Sequence, residues 1–186
     1  MTARSDQYHF VTVWRVAGTV AEVADVLGDG AALTRWWPAV YLDAARRTRA
    51  GREAAELWTT GWLPYTLRWT LELTEPVSGT GFALSADGDL VGTGRWTFRQ
   101  DGPEVEITYD WRVAAAKPLL RRLGRLLRPV FEANHRWAMD RGQESLALEL
   151  RRRRARTPAE RAAVPPPPPP TFRRLTAWWS GARRPG

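Results

Sequence analysis

Asn134, His135 and Arg141 are the residues of this chain whose placement invites chemistry, and all three fall in one stretch, residues 118–152, that reads as a single long helix. At 100° per residue, Leu120, Leu123, Leu127, Val130, Phe131, Ala138 and Ser145 share one side, while Arg122, Arg125, Arg136, Asp140 and Gln143 share the other. Asn134 sits near the centre of the apolar side, Arg141 lies on the same side, and His135 lies at its border. A buried polar group without a partner costs roughly 2–7 kcal/mol on transfer scales. These groups therefore either pair with the structure beneath the helix or face a cavity that holds something. An amide could orient a ligand carbonyl or hydroxyl, or could hold the helix in register through a hydrogen bond to the sheet. A guanidinium could hold a ligand carboxylate, or could carry its charge to a cavity mouth over an apolar stem. An imidazole could serve as acid or base near neutral pH, but no carboxylate is identifiable as its partner, and a lone histidine is more often a structural hydrogen-bonder. Catalytic residues are left unassigned, with these three as the candidates.

Such a helix must cover something, and the preceding residues provide it. Residues 9–17 are β-branched and aromatic and read as a first strand. Thr19 is a fitting N-cap for a short helix over residues 20–27, and Gly28-Asp29-Gly30 ends it. A second helical turn, residues 31–35, stops at Trp37 because Pro38 biases the residue before it towards extended backbone. From there the apolar period becomes two, with strands expected at 40–48, 53–61, 65–75, 80–87, 90–100 and 104–114. Gly51, Glu75 to Gly79, Asp87-Gly88 and Asp101-Gly102-Pro103 punctuate them, and connections this short join neighbouring antiparallel strands. Leu67, Trp69, Leu71 and Leu73 point one way, as do Val105, Ile107, Tyr109, Trp111 and Val113, giving one wet face and one aromatic face. The implied class is α+β: a curved antiparallel sheet of about seven strands around a long C-terminal helix, with two short helices after the first strand. Pro129 removes a backbone donor inside that helix and should bend it.

The net charge of +8 divides unevenly. Residues 1–150 carry 18 Lys and Arg against 19 Asp and Glu, whereas residues 151–186 carry 10 Arg against Glu160 alone. A basic face on the folded part is excluded, and with it a specific nucleic-acid partner. We divide the chain into a ligand-binding domain, residues 1–152, and an Arg/Pro-rich disordered tail, residues 153–186. The tail contains a run of six prolines at residues 165–170 that should form a stiff polyproline rod, then a basic, aromatic end. It could contact an anionic membrane surface through its arginines, Phe172, Leu175, Trp178 and Trp179, could act as a solubilising extension, or could meet nucleic-acid phosphate without sequence preference. One lysine against 27 arginines has the look of a GC-rich bacterial genome. Cysteine is absent, the two histidines lie far apart, and no metal-ligand spacing, nucleophile elbow, phosphate loop or dinucleotide fingerprint occurs. No metal or cofactor is implied. A polar N-terminus and the absence of a long apolar run point to a cytoplasmic protein, peripheral to a membrane at most through its tail.

The element order resembles the helix-grip fold of the StAR-related, birch-pollen-allergen and polyketide-cyclase superfamily (SRPBCC, or START-like). The residues that carry the likeness are Phe10 to Val16 followed by Thr19 to Leu27, then Trp36-Trp37-Pro38. The rest are Lys117-Pro118-Leu119-Leu120 and Pro129 to Gly142, which look like the final helix of the polyketide cyclase/dehydrase and lipid-transport branch. The likeness covers about residues 8–151. It implies an elongated apolar cavity between sheet and helix, lined by Trp69, Trp96, Phe98, Tyr109 and Trp111 from strands and by Phe131, Asn134, Ala138 and Arg141 from the helix. Its expected occupant is a hydrophobic small molecule such as a lipid, polyketide or isoprenoid-like compound, to be bound or carried. The alternative is cyclisation, aromatisation or dehydration of a polyketide in the same cavity.

Overall fold

The computed structural model describes residues 7–115 and 118–172, with side chains throughout except at 115 and 118–127. The first strand, β1 (Gln7–Ala17), is followed by α1 (Val20–Leu27), a single 3₁₀ turn (Gly30–Ala32) and α2 (Leu33–Trp36). Six further strands follow as successive hairpins: β2 (Tyr41–Arg49), β3 (Arg52–Thr60), β4 (Thr66–Ser78), β5 (Gly81–Gly88), β6 (Leu90–Asp101) and β7 (Glu104–Ala115). The expected strands and both short helices are all present, their ends displaced by at most three residues, as fraying and bulges displace them. All seven strands form one antiparallel sheet in the order β1-β7-β6-β5-β4-β3-β2. The first strand therefore closes onto the last, which fixes which side chains of β1 lie beside those of β7, such as Phe10 opposite Trp111.

The period-two pattern becomes a core because only one face is covered. On β7, Val105, Ile107, Tyr109, Trp111 and Val113 are buried. Over that face runs α3 (Pro118–Arg154), one continuous helix with Pro129 inside it. Its later turns bury Met139, Ser145, Leu146, Glu149 and Leu150. This is the helix-grip arrangement.

One buried residue on α3 is charged. The Glu149 carboxylate is 1% exposed and accepts from Arg35 at 2.6 Å, Arg153 at 2.9 Å and Arg152 at 3.3 Å. Burial alone would raise its pKa, but hydrogen bonds from Arg153 and Arg35 outweigh this and hold it below the usual carboxylate range. The arginine cluster at the helix end is thus partly structural.

The same arginines move the expected domain boundary. The helix continues past residue 152 to Arg154, whose guanidinium pairs with both oxygens of Glu22 at 2.7 and 2.8 Å and donates to the Ala17 carbonyl at 3.1 Å. Arg152 also reaches the Pro165 carbonyl at 2.8 Å. Between them lies α4 (Pro158–Ala163), started by a reciprocal capping box between Thr157 and Glu160. Residues 153–165, placed in the expected disordered tail, are instead tied to the fold by ion pairs and a cap that composition does not show. The basic, aromatic end, residues 173–186, lies outside the described residues. Among the described residues no helix is long and apolar enough to cross a membrane.

The Arg154–Glu22 pair carries an acid-sensitive share of stability. Hydrogen bonding from Arg154 lowers the Glu22 pKa from 4.5 to about 2. A depressed carboxylate stabilises the fold above its unfolded value, and that share is lost as pH falls from 4.5 towards 2. Both side chains are more than a third exposed, so solvent screening reduces the share to about 1 kcal/mol. Glu22→Gln should lower stability by about that amount at pH 7, and the deficit against the parent should shrink below pH 3. Thermal unfolding at both pH values measures it. An equal deficit at both would mean that the capping hydrogen bonds, not the charge, carry the effect.

Candidate functional site

A cavity of about 240 Å³ lies between the concave sheet face and α3. Its origin is geometric. At Gly142 the helix sits directly on the sheet, and a Cβ there would fall 2.4 Å from the Trp37 ring and 2.8 Å from the Trp14 ring. Over the three turns before it, α3 presents Phe131, Asn134, His135, Ala138 and Met139 to the cavity, a spacing that places them on one helical face. Small Ala138 leaves space there. Opposite stand Leu67, Trp69, Leu71 and Leu73 of β4, Phe82 and Leu84 of β5, Trp96 of β6, and Tyr109, Trp111 and Val113 of β7. Trp96 stacks on Tyr109 at 4.0 Å and 15°, and Tyr109 on Trp111 at 5.6 Å and 18°, so this wall is a continuous stack of rings.

Of the residues expected at the site, Trp69, Trp96, Tyr109, Trp111, Phe131, Asn134 and Ala138 line this cavity together, joined by His135. Two, Phe98 and Arg141, do not line it. Phe98 is buried at the end of the sheet closed off by α1, packed edge-on against Phe82 at 6.1 Å among Val105 and Ile107. Strand alternation gives a residue's face but not its position along the strand, and Phe98 lies among buried core residues away from the lining. Arg141 turns to the surface, where it pairs with Glu144 at 2.7 Å. Being on the same helical side as Asn134 did not bring it to the cavity, because the carboxylate one turn on holds it in water.

Asn134 takes up the backbone role and still borders the cavity. Its Oδ1 accepts from the backbone N–H groups of Trp62 at 3.0 Å and Leu63 at 3.3 Å. The approach depends on Gly61, where a Cβ would lie 2.2 Å from that oxygen. The loop between β3 and β4 is further tied by the Thr60 hydroxyl, which donates to the Tyr65 carbonyl at 3.1 Å. Asn134 thus anchors that loop at the cavity rim, beside the edge-on rings of Tyr65 and Phe131.

His135 stacks on Phe10 at 4.0 Å and 16°. Burial lowers its pKa to about 4, so the ring is neutral at pH 7. Its Nε2 is buried and finds no hydrogen-bond partner among the described residues. A neutral imidazole can donate through one nitrogen and accept through the other, but this one is too weakly basic to hold a proton near neutrality.

Several lining residues escaped sequence reasoning: Tyr8, Tyr41, Tyr65, Trp37, Thr59, Thr60, and the Leu27–Gly28 end of α1. They come from strand ends and connections, where period-two patterns say least. One signal was available. The chain has four tyrosines, and all four line the cavity. Burial pushes Tyr65 up to about 12, with a smaller contribution from neighbouring Tyr8, and raises Tyr41 and Tyr109 further, so each stays a protonated phenol.

No family model and no curated protein matches the chain. Solved structures do. The Zhui aromatase/cyclase of Streptomyces sp. R1128 aligns over 81% of this chain and 97% of its own, with a TM-score of 0.64 at 16% identity. A protein of Thermus thermophilus aligns over 80% of this chain and all of its own, also with a TM-score of 0.64, at 14% identity. A START superfamily protein of Mycobacterium smegmatis aligns over 70% of this chain and 97% of its own, with a TM-score of 0.50 at 17% identity. At these identities the likeness is one of fold.

Proposed function

Proceeding from the helix-grip fold that this chain shares with the Streptomyces aromatase/cyclase and the mycobacterial START superfamily protein, we propose that it binds or carries a hydrophobic small molecule between sheet and α3. The observation that carries the proposal is the aromatic-walled cavity of about 240 Å³. It is somewhat smaller than the roughly 300–1,000 Å³ of many drug-sized sites, and it has the usual make-up of apolar walls with a few polar groups. An apolar void left open between sheet and helix forgoes contacts that close packing would supply, so its presence in a tryptophan-rich core argues for an occupant. Lipid, polyketide and isoprenoid-like compounds all match its walls.

The second reading is a polyketide cyclase, aromatase or dehydratase working in the same space. It is favoured by the titratable groups that border the cavity, the neutral His135 ring and four phenols. These could position a flexible substrate and donate hydrogen bonds to its carbonyl oxygens. Native mass spectrometry of the freshly purified full chain tests the first reading. A retained apolar compound, released on unfolding, is the expected result. Absence of any adduct, together with failure to bind apolar probes, would overturn it.

A further inference from the structure

Resting on that reading, we infer that the cavity takes an uncharged ring compound bearing a hydroxyl or keto oxygen and rejects carboxylates and phosphates. The inference follows from which polar groups are present and which are missing.

The polar side chains along the walls are Tyr8, Tyr41, Tyr65, Tyr109, Thr59, Thr60, Asn134 and His135, none of which is charged at neutral pH. Among the described residues only two charged ones touch the lining, Arg46 and Glu53. Both belong to the β2–β3 hairpin at one sheet edge. The Arg46 side chain is 71% exposed and pairs with Asp29 at 3.3 Å, and Glu53 is exposed. Neither brings its charge inside. A carboxylate entering this space would lose its water and meet no cation among the described residues, which is the costly half of a buried ion pair without its other half. Fatty acids and phosphate-headed lipids carry that penalty; neutral compounds do not.

What the walls offer instead is donors. Among the described residues, the hydroxyls of Tyr41, Tyr65 and Tyr109 make no hydrogen bond to protein, although all three line the cavity. They stand at the cavity surface and are not among the closed-off unpartnered atoms, so a ligand oxygen can reach them and supply a partner. Burial keeps these phenols protonated, hence able to donate. Ring shape follows from the rigid wall that the stacked Trp96, Tyr109 and Trp111 make, against which a rigid flat compound packs without the rotamer entropy that an acyl chain loses on being ordered.

Calorimetric titration of the full chain at pH 7.5 with three matched probes, 2-naphthol, naphthalene and 2-naphthoate, tests the inference. The expected order is naphthol first, with naphthoate weaker by at least about tenfold. Tyr109→Phe should bring naphthol down towards naphthalene, without changing naphthalene itself. Naphthoate binding as well as naphthol, or the Phe variant leaving naphthol unaltered, would overturn the inference while leaving the cavity a binding site. No binding by any of the three would overturn the binding site as well.

Discussion

Gly142→Val is expected to destabilise the protein by about 3 kcal/mol, the upper end of what overpacking costs. A helix interior ordinarily gains from losing glycine, by up to roughly 1 kcal/mol for alanine and less for a β-branched residue. Here the local gain opposes a tertiary clash, and the magnitudes decide. The first added carbon would stand 2.4 Å from one Trp37 ring atom, 2.7 Å from another and 2.8 Å from Trp14. Neither ring can swing clear. Trp37 is 4% exposed and packed against Trp14, Trp36 and Tyr41 at 5.2–5.5 Å, and Trp14 is 2% exposed and touches Trp96 at 5.3 Å. The helix must therefore lift, exposing the neighbours of Leu146 and widening the cavity mouth. Gly142→Ala should cost less but keep the same sign. Urea unfolding of the three proteins measures the series. An alanine variant more stable than the parent would show that α3 does not rest on Trp37 and Trp14.

Gly142 also shows where the amino-acid sequence is legible and where it is not. Strands such as β1 and β6 could be read because they alternate over most of their length with one face wet, so local pattern and tertiary role coincide, while β2 and β5 were bounded by their turns. The turn at Asp87-Gly88 and the cap at Thr19 act within a few residues and are legible for the same reason. Asn134 stood out as a polar residue on an apolar side, but its partners are backbone groups about seventy residues away at Trp62 and Leu63, and no local pattern encodes them. The glycine that admits it, Gly61, falls at the end of an expected strand, with nothing local to mark its role. Glu149 is the inverse case: at a boundary between apolar helix and arginine run nothing local marks it as buried, yet Arg35 from α2 and two arginines of its own helix close over it. Phe98 and Arg141 were misplaced because face alone was legible, and membership of a cavity also needs depth along the strand or a neighbour that leaves the side chain free. The tyrosines could have been found by composition, since a chain that places four phenols among eleven tryptophans is selective about where a hydroxyl is wanted.

Ala138→Phe should abolish binding of any cavity ligand, weakening it by at least about a hundredfold, or some 2.8 kcal/mol, while stability holds or rises. Ala138 lies on the helical face that roofs the cavity, between Asn134 and Met139. A phenyl ring placed there projects into open apolar space, and filling such a space commonly stabilises by roughly 0.5–2 kcal/mol. The two effects are of opposite sign, and that is the diagnostic. A substitution that damages the fold lowers affinity and stability together, and one at a solid part of the core does the same through overpacking. Only an open volume that doubles as the ligand's seat separates them. The matched probes and urea unfolding of the same preparation give both readouts, and Ala138→Ser, which adds little bulk, should bind nearly as the parent does. Were Ala138→Phe to bind at parental strength, the ligand would sit elsewhere. Were it to lose several kcal/mol of stability, the space between α3 and the aromatic wall would be already filled.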